Sequence, residues 1–85
     1  MKQFDYEITD PVGIHARPAG LLVQEARRYQ SRILLHKGDH TADATRMMSV
    51  MGLGLRHGDR LTVTAEGPDE VEALQAMQAF FRAHL

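Results

Sequence analysis

Residues 59–67 read Asp59-Arg60-Leu61-Thr62-Val63-Thr64-Ala65-Glu66-Gly67, and their alternation decides the architecture. Leu61, Val63 and Ala65 fall on one side and Thr62, Thr64 and Glu66 on the other, the period of two of a half-buried strand. Beyond it, Pro68-Asp69 followed by Glu72 has the spacing of a capping box. The spacing predicts a final helix with Val71, Leu74, Met77 and Phe81 as its apolar stripe. On the N-terminal side, Arg46 to Leu53 is a short methionine-rich helical stretch that Gly52 or Gly54 would end. His40 to Ala44 and Arg32 to His36 are short strands, the first of them weak enough in side chains to suit an edge. Gly38-Asp39 between them suits a type II′ hairpin, because glycine at the first central position supplies φ > 0.

Further upstream, Ala19, Leu22, Val23 and Ala26 recur at helical spacing within residues 16–28. Pro18 fits the first turn of that helix, where a missing N–H costs little. Asp10-Pro11-Val12-Gly13 is a loop. Phe4, Tyr6 and Ile8 alternate with Asp5 and Glu7 as a first strand. The order βαββαβα implies an α+β fold, an antiparallel four-stranded sheet with helices on one face.

Composition narrows the class. At 85 residues and 9.5 kDa the chain has room for one domain, expected to span residues 1–85. An apolar share of 44% with 25% charged residues is that of a globular protein and excludes a disordered chain. The absence of cysteine removes a disulfide framework, thiolate catalysis and cysteine-based zinc sites. With polar residues at its start and no long apolar run, the chain is expected to be cytoplasmic, without membrane insertion. A net charge of −1 argues against nonspecific nucleic-acid binding. That charge is uneven. Residues 1–60 hold nine Lys/Arg against seven Asp/Glu, and residues 61–85 hold one against four, so the basic excess lies outside the last strand and helix.

The chemistry concentrates in Gly13-Ile14-His15-Ala16-Arg17-Pro18-Ala19. His15 stands where a loop meets a helix N-terminus, whose unpaired N–H groups and partial positive charge favour anions. A neutral ring nitrogen there is available as a nucleophile. A phosphoryl group taken up by it would be held by those amides and by Arg17. Spacing alone leaves a second reading open, in which His15 is a loop or cap residue without chemistry. His36 and His40 are four apart but separated by a turn, so helical metal-ligand spacing fails and no metal site is expected. His57 in a turn and His84 in the last helical turn are most simply structural or solvated. Met47, Met48 and Met51 cannot all face one core, since adjacent helical residues point about 100° apart. They either fill core gaps or form an adaptable contact surface.

The heptapeptide resembles the active-site signature of HPr, the histidine-containing phosphocarriers of the bacterial sugar phosphotransferase system. The resemblance continues through Met51-Gly52-Leu53-Gly54 and Gly58-Asp59 and spans essentially the whole chain. It implies an open-faced β-sandwich and a carrier rather than an enzyme, with no cofactor. His15 would receive a phosphoryl group on Nδ1 from enzyme I and pass it to a sugar-specific enzyme IIA. Arg17 matches the arginine beside that group, and Ala16, Arg17 and Pro18 surround it. Ala16, Gly20, Gln24 and Arg27, with Met47, Met48 and Met51, match the docking face for both partners. Two positions depart from the family pattern. Gln24 replaces a frequent lysine, and Arg46 stands where many relatives carry a regulatory serine, leaving Thr45 and Ser49 as the nearby hydroxyls. Thr45 is also the expected N-cap of the short helix. Alternatives within the resemblance are a carrier for a nitrogen-related branch or a dihydroxyacetone kinase. Outside it stands an unphosphorylated module that binds a regulator. An intact His15-Ala16-Arg17 argues against the last, which has no use for a nucleophile.

Overall fold

The computed structural model describes residues 1–85. Seven elements follow in the expected order: β1 (Lys2–Glu7), α1 (Ala16–Ala26), β2 (Arg32–Lys37), β3 (His40–Asp43), α2 (Met47–Gly52), β4 (Arg60–Glu66) and α3 (Glu70–His84). The strands form one antiparallel sheet in the order β1-β4-β2-β3. β4, the most regular strand in the sequence, lies inside the sheet, and β3 is an edge as its sparse side chains suggest. Gly38 has φ of +57° while Asp39 does not cross to positive φ, as a type II′ turn requires.

One face of the sheet carries Leu61, Val63 and Ala65 from β4 and Ile33 and Leu35 from β2, all buried. The helices cover this face with Ala19, Leu22, Val23 and Ala26 from α1 and Val50 from α2. Leu34 points to the other face, so β2 alternates and its three central residues are not all core.

α3 corrects two expectations. Its buried residues are Ala73, Met77, Phe80 and Phe81, whereas Val71 is 46% exposed and Leu74 only partly buried. The stripe therefore lies slightly around the helix from the one drawn through Val71. Phe81 is the reason: fully buried, it takes edge-on contacts from Phe4, Tyr6 and Phe80 and fixes the helix rotation. The Asp69–Glu72 capping box does not form. Asp69 is the N-cap by position, but its carboxylate turns to the start of β2. There it accepts from the amides of Gln30 at 2.9 Å and Ser31 at 2.8 Å, and from Ser31 Oγ at 2.5 Å. Glu70, not Glu72, reaches back toward the loop, accepting from Gly67 N at 3.3 Å.

α2 corrects another. Arg46, not Thr45, occupies its N-cap and makes no side-chain cap bond. Thr45 is diverted because its amide and hydroxyl both donate to Asp43 Oδ1, at 2.9 and 2.6 Å. α1 is also shorter than the sequence suggests, ending at Ala26 with Arg27 as its C-cap.

Candidate functional site

His15 is placed by the loop before it. Asp10 Oδ1 accepts from the amides of Val12 at 2.8 Å and Gly13 at 3.2 Å, closing a turn. Gly13 then takes φ of +78° against the backbone of Leu55 and Arg56, and the Ile14 amide donates to the Leu55 carbonyl at 2.9 Å. The receiving segment is itself pinned. Asp59 accepts from Arg56 N at 2.9 Å and pairs with Lys37 at 2.8 Å, and both contacts hold its carboxyl below the usual carboxylate range, the Lys37 bond foremost. From the other side, the Leu85 carbonyl accepts the amides of Thr9 at 2.7 Å and Asp10 at 2.9 Å.

The outcome is an exposed His15 in extended conformation, φ −140° and ψ −174°, at the N-cap of α1 with no side-chain cap bond. Its carbonyl starts the helix by accepting Ala19 N at 3.0 Å. Pro18 has no N–H, and its buried ring sets the first turn. The amides of Ala16 and Arg17 therefore remain as the two unpaired donors of the helix end. Arg17 is exposed and engaged in no ion pair. His15, Arg17 and Pro18 line an open depression of about 250 Å³ together with Asp10, Leu21 and His84. An exposed imidazole and a free guanidinium on this surface, next to the two free amides of the helix end, can receive and hold an oxyanion.

None of the expected contact residues lines this depression, although Gln24 lines the neighbouring groove. Ala16, Gly20, Gln24 and Arg27 share one side of α1, flanking its buried face, as spacings of four, four and three residues dictate. Gly20 has open space where a Cβ would stand. Arg27 Nε donates to the Thr45 carbonyl at 3.1 Å, so this residue also ties α1 to the entry of α2. On α2, Met48 is 83% and Met51 36% exposed, while Met47 packs partly against the core. Val50 and Leu53 supply the core contacts instead. The three methionines thus divide between the two readings, with Met48 and Met51 as surface and Met47 as filler.

Asp10, Leu21 and His84 line the depression without having been singled out for it. His84 is remote in sequence and joins the site only because the end of α3 packs against the loop after β1. No local pattern reports that contact.

Residues 2–83 match the family model for the PTS HPr component phosphorylation site. The chain belongs to the HPr family. It is 44% identical over 80 residues to the phosphocarrier protein HPr of Mycoplasma genitalium, covering 93% of this chain and 91% of that one. A crystal structure of HPr from Thermoanaerobacter tengcongensis superimposes with a TM-score of 0.92 at 37% identity, covering 98% of this chain and 93% of that one. A multiphosphoryl transfer protein of Xanthomonas campestris is 38% identical over 78 residues, 92% of this chain but 9% of that protein. As an HPr, the chain is a phosphocarrier of the phosphotransferase system and not a catalytic enzyme. The open-faced sandwich expected from the resemblance is the observed fold. No helix is long and apolar enough to cross a membrane.

Proposed function

We propose that His15 is the residue that carries the phosphoryl group, on Nδ1, received from enzyme I and delivered to a sugar-specific enzyme IIA. The observation that carries this reading is the exposed His15 ring at a helix N-terminus with two unpaired amides and the free Arg17 beside it. The new oxyanions are held by Arg17 and by the amides of Ala16 and Arg17, while Pro18 keeps the first turn in shape. Such transfers depend on positioning and charge stabilisation, so few residues suffice. Ala16, Gly20, Gln24, Arg27, Met47, Met48 and Met51 form the docking face. An apolar centre rimmed by Arg17, Arg27 and Arg46 suits acidic, apolar partners. Residues 1–85 act as one domain, in the cytoplasm, without cofactor or metal. The experiment is incubation with enzyme I and labelled phosphoenolpyruvate. Label that is lost in acid, stable in alkali and absent from His15→Ala supports the assignment; undiminished label in that variant would falsify it.

A further inference from the structure

His84 stands in the last turn of α3, where its ring stacks on Phe80 with centroids 4.5 Å apart and planes 34° from parallel. It lines two depressions at once. One is the His15 depression, with Asp10, Arg17, Pro18 and Leu21. The other is a groove of about 350 Å³ with Leu21, Gln24, Glu25, Arg28 and Phe80. The end of α3 is held there by the Leu85 carbonyl, which accepts Thr9 N and Asp10 N from the loop leading to His15.

Two cations and two carboxylates line the depressions that His84 shares. Arg17 and Arg28 on α1 oppose a further positive charge, and Asp10 in the loop and Glu25 on α1 favour one. Glu25 is partly committed to Arg28 at 3.4 Å and to Tyr29 at 3.3 Å. A phosphorylated side chain adds about −1.5 to −2 charge at neutral pH, which favours a proton on a neighbouring imidazole. A histidine is the one residue type in this group that ordinarily exchanges its proton near neutrality.

We propose that His84 is a second, titratable cation of the phosphoryl site, binding a proton from solvent when His15 is phosphorylated and stabilising the loaded carrier beside Arg17. The inference rests on His15 being the acceptor. The covalent step at His15 is unchanged, and only the proton on the His84 ring is added. The stacking on Phe80 holds the ring at the rim of the depression, and the pin at Leu85 keeps the helix end there.

The test uses the whole chain, enzyme I and phosphoenolpyruvate. Label is first mapped to His15; then the His84 Cε1 proton resonance is followed by NMR at neutral pH before and after phosphorylation. The expected result is a move toward the imidazolium position on phosphorylation and no move in His15→Ala. His84→Gln is expected to lower the equilibrium constant for loading roughly two- to fivefold, the size of an exposed charge contact, and His84→Lys to restore it. That loss should shrink as pH rises, a dependence that a packing role would not produce. A His84 resonance that stays put while His15 carries label overturns this inference alone. Equal loading equilibrium constants for His84→Gln and the native chain do the same, and a native chain without label on His15 overturns the underlying assignment too.

Discussion

Gly13 and Leu55 meet backbone against backbone. A Cβ on Gly13 would lie 2.5 Å from the Leu55 carbonyl oxygen, the same oxygen that accepts the Ile14 amide at 2.9 Å. His15 follows directly, so its position relative to α1 depends on a contact that only glycine permits.

Gly13→Ala is therefore expected to destabilise the protein by about 2–4 kcal/mol, from positive φ and from the displaced Leu55–Arg56 backbone together. Because the shift propagates to His15, phosphoryl transfer should fall as well. Urea unfolding reads the first effect and the rate of label uptake the second. A loss of stability below about 0.5 kcal/mol, the range of an ordinary surface substitution, would show that the loop relaxes freely.

Met48 and Val50 lie two residues apart on α2 with opposite environments, 83% and 0% exposed. Met48→Asp should leave stability within about 0.5 kcal/mol while slowing transfer from enzyme I, since it places an acid in a docking face rimmed with arginines. Val50→Ala should cost about 2 kcal/mol through the cavity it opens and leave the rate of transfer by folded protein nearly unchanged. Reversed behaviour of the pair would assign Met48 to the core.

Arg46 holds the N-cap of α2 without capping it, and a cation there opposes the helix dipole. Arg46→Ser should gain about 0.5–1.5 kcal/mol from a cap hydrogen bond and relief of the charge. The native chain is expected to give no product with the kinase that acts on the serine of relatives. Its two nearby hydroxyls are poorly offered, Thr45 Oγ1 being bound to Asp43 at 2.6 Å and Ser49 partly buried. Stoichiometric phosphate on Thr45 or Ser49 by mass spectrometry, with slowed loading, would contradict this.

Four carboxylates set the acid limb of stability, and one of them, Glu70, is held below the usual range by the Gly67 amide first and then by the N-terminal amine. Asp69 is held below the usual range by Ser31 Oγ first and then by the Gln30 amide, and Asp59 by Lys37 first and then the Arg56 amide. At Asp43 burial pushes upward but is outweighed by the Thr45 hydrogen bonds and by Arg46 and Arg32. Each group binds its proton less readily folded than unfolded. Their contribution is therefore complete above the unfolded value of about 4 and fades as pH falls through the lower folded values. Thermal unfolding followed by circular dichroism should show Tm nearly constant above pH ~5 and falling below ~4, with a shallower fall in Asp69→Asn. A main loss of stability above pH ~5 would point to other groups.

The strands and α1 were legible because one local period fixes which side chains face the sheet: Leu61, Val63 and Ala65 are inward, as their alternation requires. The ends of α2 and α3 were not. Thr45 and Asp69 have the composition of helix caps, but each spends its oxygen on another strand or turn, Thr45 on Asp43 and Asp69 on Ser31. At Asp69 a long-range partner displaces the local rule, since 38 residues separate it from Ser31, whereas at Thr45 the competitor is a turn only two residues back. At the site, the loop–helix junction that holds His15 and Arg17 was legible from the sequence, but spacing left the role of His15 open and only the resemblance of the heptapeptide pointed to it. His84 was not, because its approach to His15 comes from the packing of the last helix rather than from any spacing.

The most direct measurement is NMR of the loaded carrier with ¹⁵N-labelled histidine, reading phosphorus–nitrogen coupling ring by ring. The account predicts one coupled nitrogen, Nδ1 of His15, with the rings of His36, His40, His57 and His84 uncoupled. Coupling at any other ring, at His15 Nε2, or at no nitrogen in a protein that carries phosphate would contradict it.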